Sequence, residues 1–200
     1  VPERKDEEIV KLSRRRITIP KRLKDVQSET VMTTAYNEVD LSSVIAIRKK
    51  YQDQFVKKHN TKLGFMSFFV KASVNSLQSF PHLNAELHQD ELIVKKYYDI
   101  GIAVATDEGL VVPVLRGADK LSSAEIELGI AELATKSREK KITLQELQGG
   151  TFSITNGGVF GSLMSTPLLN PPQVGILGMH KIMEKPLAVD GEIVIRPVMM

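Results

Sequence analysis

Apolar residues recur along the chain at spacings that predict several helices. One helix begins at Ser42 or Ser43, and a second spans the run from Gly64 to Leu77, which is apolar on most of its surface. A third opens at residues 122–125 with the capping-box sequence SSAE. In the first of these helices the apolar positions are Val44, Ile47, Tyr51 and Phe55.

Other segments have the alternating or continuous apolar pattern of strands. Residues 30–40 alternate partly and are rich in Thr, Val and Tyr, which predicts a strand. The runs Ile100–Ala105 and Leu110–Leu115 flank a turn ending in Gly109 and are apolar enough to predict central strands covered on both faces. We expect further strands at 85–96 (a hairpin), 151–155, 174–180 and 189–200 (a second hairpin). Helices and strands alternate, which predicts an α/β fold, a sheet layered with helices.

The first thirty residues are polar and basic. We interpret residues 1–12 as a linker or flexible arm and residues 13–200 as one domain. Six basic side chains lie between residues 14 and 24, with Pro20 among them, so a helix here must start or kink at Pro20. The basic run is either a site for phosphate or acidic groups or, more commonly for such runs, a solvated helix face.

Composition excludes several classes of function. The chain has 200 residues, a formal net charge of +3 with both signs interspersed, and no cysteine. Disulfide frameworks, thiolate zinc sites and cysteine nucleophiles are therefore ruled out, and no basic stripe indicates nucleic-acid binding. No apolar run reaches the ~18–20 residues of a membrane span. Phosphate-loop, dinucleotide, metalloprotease and serine-hydrolase motifs are absent from the sequence, so we expect no metal.

The polar residues of segment 151–180 are the best candidates for chemistry. Thr155 lies at the end of a predicted strand, and Ser162 and Ser165 follow in a loop. Hydroxyls held at a rigid strand end suit the stabilisation of an oxyanion or the binding of a carboxylate. His180 follows a buried strand and is expected to emerge at the edge of the core. The alternatives are a Thr155 hydroxyl bonded to the backbone, ordinary loop serines and a buried histidine with a structural role.

The same segment carries a family resemblance. The sequence GGTFSITNGGVFGSLMSTPLLNPPQVGILGMH (149–180) resembles the signature of dihydrolipoyllysine-residue succinyltransferases, the acyltransferase core of the 2-oxoglutarate dehydrogenase complex. Segments 15–30, 33–44, 62–73 and 99–116 are similar to the same family in the same order, so the resemblance covers nearly the whole chain from about Ser13. Pyruvate and branched-chain relatives typically lack the NGGVFGS pattern, which favours succinyl over acetyl transfer.

The resemblance implies an architecture and a set of partners. The fold would be that of chloramphenicol acetyltransferase, a two-layer α/β arrangement of a mixed sheet with helices on one side. Homotrimers would assemble into a hollow cubic core and work with the 2-oxoglutarate decarboxylase and dihydrolipoyl dehydrogenase components, with no nucleic acid and no membrane. The expected location is the bacterial cytoplasm or the mitochondrial matrix. Coenzyme A would be a substrate, and the lipoyl group would be carried on a domain outside this sequence.

The resemblance also implies roles for individual residues. In this family a histidine acts as general base on the coenzyme A thiol, and a hydroxyl at the motif position of Thr155 stabilises the tetrahedral oxyanion. Ser162, Ser165 and His180 fall at positions that could reach the distal carboxylate of a succinyl group. Two hydroxyls and an imidazole can bind a carboxylate without burying a fixed charge. The residues that contact coenzyme A are not marked by any local motif.

One family feature is missing from the sequence. The signature Asp-His-Arg-x-x-Asp-Gly, with the general-base His and its Asp, would follow the strand that ends at Met200. The 200 residues alone are therefore expected to be inactive, an assembly scaffold or at most a coenzyme A-binding module, with apolar surface exposed. Arg14, Arg16 and Arg22 are candidates to pair with that acidic residue, and the sequence does not choose among them.

Overall fold

The computed structural model describes residues 6–200 and contains four α-helices and eleven strands in that range. The helices are α1 (Arg14–Glu29), α2 (Ser42–His59), α3 (Met66–Ser79) and α4 (Ser123–Arg138). The strands are β1 (Val39–Asp40), β2 (Ala85–His88), β3 (Glu91–Val94), β4 (Ile100–Ile102), β5 (Val104–Thr106), β6 (Gly109–Val111), β7 (Val114–Leu115), β8 (Phe152–Asn156), β9 (Ile176–Met179), β10 (Met183–Val189) and β11 (Glu192–Met199).

The strands form two larger sheets and two hairpins. The central mixed sheet has the order β7-β4-β8-β9, with β8 parallel to both β4 and β9 and β7 antiparallel to β4. A second sheet has the order β1-β11-β10. Hairpins β2–β3 and β5–β6 pair separately. Strand β9 is therefore an edge strand of its sheet, and the open space beside it becomes important for the site.

Helices α3 and α4 cover the central sheet and pack against each other. Their amphipathic spacing supplies apolar side chains that meet those of β4, β7 and β8 in one core. The buried apolar residues of this core are Leu41, Val70, Val74, Leu77, Ile100, Ile102, Leu115, Ala118, Ile126, Leu133, Ile154, Met179 and Met199. The predicted α/β arrangement of a mixed sheet with covering helices is confirmed.

Helix starts are fixed by specific hydrogen bonds. The predicted capping box of α4 is confirmed, because Ser122 accepts from the Glu125 N–H while Glu125 accepts from the Ser122 N–H. The start of α3 is capped from outside its own segment: the Glu127 carboxylate on α4 accepts the Ser67 N–H at 3.0 Å. The predicted hairpin at 85–96 is also confirmed. In the second hairpin the predicted turn at Asp190 and the strand after it are confirmed, but the first strand begins at Met183, before the predicted range 189–200.

The strand predicted at residues 30–40 is wrong except at its end. Only Val39–Asp40 is paired, against Val198 and Met199 of β11, and residues 30–38 run without regular hydrogen bonding. The partial alternation of Thr, Val and Tyr reflects a segment that lies along a cavity, where Val31 is 97% exposed, and not a sheet face.

Of the two alternatives expected at Pro20, a helix start or a kink, the helix start is wrong. Helix α1 begins at Arg14, is capped by the Ser13 hydroxyl and continues through Pro20 to Glu29. Residues 6–12 have no helix or strand, while residues 1–5 of the predicted arm lie outside the described residues.

The two apolar runs flanking Gly109 are only partly central strands. Each run is divided in two, so that β4 and β7 belong to the central sheet and β5 and β6 form a projecting hairpin. Ile100 is fully buried, as predicted, but Leu110 is 55% exposed. Val104 and Val111 of the β5–β6 hairpin are nevertheless buried, so the hairpin is exposed mainly toward its turn.

Candidate active site

A cavity of about 360 Å³ lies beside the edge strand β9. Its walls are β9, the loop that precedes it, the irregular segment 31–37, Phe69 of α3 and the end of β11. Segment 31–37 and β11 lie opposite β9 without hydrogen-bonding to it, so the space between the two larger sheets stays open. The cavity is large enough for a small organic group and has a partly apolar lining, as ligand sites usually do.

His180 lies in the wall of this cavity, directly after β9. It is 4% exposed, and both ring nitrogens have partners. Nε2 lies 2.9 Å from the Ser165 hydroxyl, and Nδ1 lies 2.9 Å from the main-chain oxygen of Met200. Two of the four predicted site residues, Ser165 and His180, are therefore brought together on one cavity wall.

The NGG turn after β8 holds the backbone of His180 in place. Asn156 accepts the Gly158 N–H through Oδ1 at 2.9 Å, and the Gly157 N–H donates to the Met179 carbonyl at 2.8 Å. Gly158 approaches so closely that a Cβ there would stand 2.4 Å from the His180 carbonyl oxygen. Only glycine fits this approach, and the turn thereby fixes the histidine against the end of the strand.

Ser162 is near this turn but does not line the cavity. Its backbone connects the turn to the residue after His180, since its N–H donates to the Gly157 carbonyl and its carbonyl accepts the Lys181 N–H. Its hydroxyl donates to the Met164 carbonyl at 3.3 Å. Ser162 therefore lies outside the cavity wall in which Ser165 and His180 lie.

Thr155 lies on β8, half-buried, opposite Gly178 of β9 in the parallel register. Residues opposite each other in a sheet point to the same face, and on this face the position of a Gly178 Cβ is 2.9 Å from Pro167 and 3.4 Å from the His180 ring. Thr155 does not line the cavity, but its hydroxyl has no hydrogen-bond partner among residues 6–200. The alternative of a hydroxyl bonded to the backbone is therefore not what the structure shows.

The basic side chains of α1 that the structure describes do not line this cavity. The guanidinium of Arg16 donates to the Asp107 carbonyl at 2.6 Å and lines a shallow depression with the β5–β6 hairpin. Arg22 is exposed on α1. The side chain of Arg14 lies outside the described part of the structure.

Sequence reasoning missed the residues that segment 31–37 contributes to the cavity. Thr33, Thr34, Tyr36 and Asn37 all line it, although the segment was expected to be a strand. The available signal in the sequence was the cluster of hydroxyl and amide side chains, which is more typical of a binding loop than of a covered strand.

Few of the described side chains that line the cavity can carry a charge. Among its described lining residues none is Asp, Glu, Lys or Arg, and the titratable side chains are Tyr36 and His180. Across residues 6–200 no three His, Asp or Glu side chains are grouped as a metal site would need. Within the same range no helix has the length and hydropathy to cross a bilayer.

The family model for the catalytic domain of the 2-oxoacid dehydrogenase acyltransferases matches residues 4–200. The chain is 63% identical over 185 residues to the dihydrolipoyllysine-residue succinyltransferase component of the 2-oxoglutarate dehydrogenase complex of Bacillus subtilis, covering 92% of this chain and 44% of that protein. It is 57% identical over 190 residues to the component of the same name from Rickettsia typhi, covering 95% of this chain and 48% of that one.

The fold is shared with solved structures. The atomic structure of the cubic core of the pyruvate dehydrogenase multienzyme complex superposes with a TM-score of 0.92 at 31% identity, covering 100% of this chain and 84% of that one. The chain spans less than half the length of the two curated relatives. Its match across residues 4–200 and its shared fold show that the chain belongs to the catalytic-domain family of the 2-oxoacid dehydrogenase acyltransferases.

Proposed function

We propose that this chain is the catalytic part of a succinyltransferase that moves a succinyl group between dihydrolipoamide and coenzyme A. The observation that carries the proposal is the Ser165–His180 pair on the wall of an uncharged cavity, because it offers polar groups where a carboxylate-ended acyl chain needs them. Two relatives named succinyltransferase are 63% and 57% identical, whereas the pyruvate dehydrogenase core is 31% identical, which supports succinyl over acetyl.

The reaction exchanges one thioester for another. The coenzyme A thiol loses its proton, and its sulfur forms a bond to the thioester carbonyl carbon of succinyl-dihydrolipoamide. The tetrahedral oxyanion collapses, the bond to the lipoyl sulfur breaks, and that thiolate takes up a proton. A thiol with a pKa of ~8.5 is partly ionised near neutral pH. Removal of the thiol proton by a general base is therefore a step of modest difficulty.

Thr155 is proposed to stabilise the oxyanion. Its hydroxyl is held by the end of a parallel strand and has no hydrogen-bond partner among the described residues, so a donor is available without breaking an existing bond. A donor that is already oriented is effective because it needs no reorganisation when charge develops.

His180, Ser165 and Ser162 are proposed to bind the distal carboxylate. The first two lie 2.9 Å apart in the cavity wall. For Ser162 to join them, its hydroxyl must leave the Met164 carbonyl to which it now donates. His180 and Ser165 are therefore expected to contribute more to succinyl selectivity than Ser162.

Thr155 variants test the proposed reaction. The experiments use the complete product of the gene that encodes these residues, because the chain spans less than half the length of the two curated relatives. Thr155→Val, which keeps the shape and removes the donor, is expected to lower kcat for succinyl transfer by ~10²–10³ with little change in KM. Thr155→Ser is the matched control and should retain most activity. A Thr155→Val enzyme within about threefold of wild type would remove Thr155 from the oxyanion role.

We further propose that copies of the chain assemble into a multienzyme core that contains coenzyme A- and lipoamide-dependent sites. The support is apolar surface: Val159, Phe160 and Ile193 are all more than 70% exposed in the isolated chain. Surface of this kind is usually covered by a partner. Mass photometry of the complete protein should show multiples of three subunits, and a concentration-independent monomer would contradict the proposal.

A further inference from the structure

The cavity poses an electrostatic problem for the acyl group that it is proposed to hold. A succinyl group brings a negative charge, yet no Lys or Arg is among the described residues that line the cavity. Removing a carboxylate from water without a compensating charge is costly. Histidine is the side chain that most readily gains a positive charge near neutral pH, and His180 is present in the wall.

The two hydrogen bonds of His180 determine which ring nitrogen carries the proton and which group donates to the other nitrogen. A main-chain oxygen can only accept, so Nδ1 carries the proton that is donated to Met200. In the neutral ring, Nε2 is then an acceptor, and the Ser165 hydroxyl donates to it. Ser165 and His180 therefore direct no side-chain donor into the cavity while the ring is neutral.

Protonation of Nε2 reverses the direction of the hydrogen bond between His180 and Ser165. With a proton on Nε2 the ring donates to the Ser165 oxygen, and the Ser165 hydroxyl becomes free to donate to a carboxylate. The bond from Nδ1 to Met200 is unchanged, so the ring need not turn. One proton thus supplies both the positive charge and the donor that a carboxylate requires.

Few other charged groups face His180. Segments 156–158, 161–169 and 176–179 around it contain no titratable side chain. From segment 31–40, Tyr36 lines the cavity, Glu38 is paired with Lys185, and Asp40 lies 3.8 Å from Arg196 of β11. Lys181, the next residue along the chain, is exposed. None of these charged side chains lines the cavity, so none is placed to neutralise a carboxylate there.

We infer that binding of a carboxylate-ended acyl group takes up one proton at His180, so that the site accepts succinyl as an imidazolium–carboxylate pair. This inference rests on the proposed function and adds the means by which the site distinguishes a charged acyl end from a neutral one. Affinity for the succinyl thioester accordingly falls as pH rises, while affinity for a neutral isostere does not.

The test compares two thioesters in the complete gene product between pH 6 and 9. The probes are S-succinyl-dihydrolipoamide and S-succinamoyl-dihydrolipoamide, in which an amide replaces the carboxylate. Both share the reacting sulfur and carbonyl, so the ratio of their kcat/KM values cancels the pH dependence of the chemical step. We expect this ratio to fall on the alkaline side with a slope approaching tenfold per pH unit, as one proton requires. A ratio that is flat with pH in the wild-type protein overturns the inference.

Two variants assign the proton. His180→Asn should abolish the slope, and Tyr36→Phe, which removes the other titratable lining group, should retain it. A slope that survives in a folded His180→Asn protein, or one lost in Tyr36→Phe, contradicts the assignment to His180. If His180→Asn does not fold, the wild-type and Tyr36→Phe profiles still decide. A protein that transfers neither acyl group refutes the proposed function, whereas one that transfers both with a flat ratio refutes only this inference.

Discussion

Replacing Gly158 with alanine is the most informative perturbation of the site architecture. A Cβ at this position would stand 2.4 Å from the His180 carbonyl oxygen, 2.5 Å from its carbonyl carbon and 2.7 Å from the Lys181 nitrogen. The closest of these is about 0.6 Å inside the 3.0 Å that Cβ contacts respect. All three atoms belong to the backbone, so no change of rotamer relieves the clash, and the chain after β9 has to move.

The expected cost is that of overpacking a rigid site, about 1–3 kcal/mol. For a domain of this size that corresponds to a decrease in Tm of about 2–12 °C. Because the backbone that must move is that of His180, we also expect a reduced preference for succinyl over succinamoyl thioester. Differential scanning calorimetry measures the decrease in Tm. The ratio of kcat/KM for S-succinyl- and S-succinamoyl-dihydrolipoamide, in which an amide replaces the carboxylate, measures the substrate preference of the same preparations.

Gly157→Ala is the matched control in the same turn. Its Cβ would be 3.2 Å from the Ser162 Cβ, so that neighbour has to move by only a few tenths of an ångström. Its stability loss should remain below about 1 kcal/mol. Equal losses in the two variants, or a Gly158→Ala protein with unchanged Tm and unchanged substrate preference, would refute the idea that this turn positions His180.

Two further predictions concern the framework. Glu127→Ala removes the acceptor of the Ser67 N–H at the start of α3 and should cost about 0.5–2 kcal/mol by calorimetry, whereas Glu127→Gln, which keeps an acceptor oxygen, should cost less; equal costs would contradict the capping role. The Thr143 N–H, followed by Lys136, lowers the pKa of Glu146 from 4.5 to about 2, so its contribution to stability is present above pH 4.5 and is lost as pH falls toward 2. The Tm of wild type should therefore decrease more steeply than that of Glu146→Gln between pH 5 and 2, and parallel curves would refute this.

The parts of the fold that follow from local patterns could be predicted. The capping box at Ser122, the second hairpin with its turn at Asp190, and the strand that leads to Thr155 depend on short-range spacing and turn chemistry. Residues 30–38 were wrongly predicted as a strand, because partial alternation does not show whether a pairing partner lies beside the segment, and only Val39–Asp40 has one. Pro20 left a helix start and a kink as alternatives, and the start is instead set seven residues earlier by the cap at Ser13.

The candidate site was likewise predictable only where it depends on local sequence. Motif position placed Thr155, Ser162, Ser165 and His180 in one segment, and the structure brings Ser165 and His180 into contact. The sequence motif could not show that the Ser162 hydroxyl donates to a main-chain carbonyl, because that contact depends on the course of the loop after the NGG turn. The charge-free lining of the cavity is also a three-dimensional property, assembled from segments as far apart in the chain as residues 31–39 and 199–200.

The most direct test of the account is the acyl selectivity of the complete gene product. The specificity constant kcat/KM for coenzyme A-dependent transfer is measured with S-succinyl- and S-acetyl-dihydrolipoamide at neutral pH. A site built around Ser165 and His180 for a distal carboxylate predicts that succinyl is preferred by at least about tenfold, since acetyl leaves those polar groups without a ligand. Equal constants, or a preference for acetyl, would contradict the assignment of this chain to succinyl transfer.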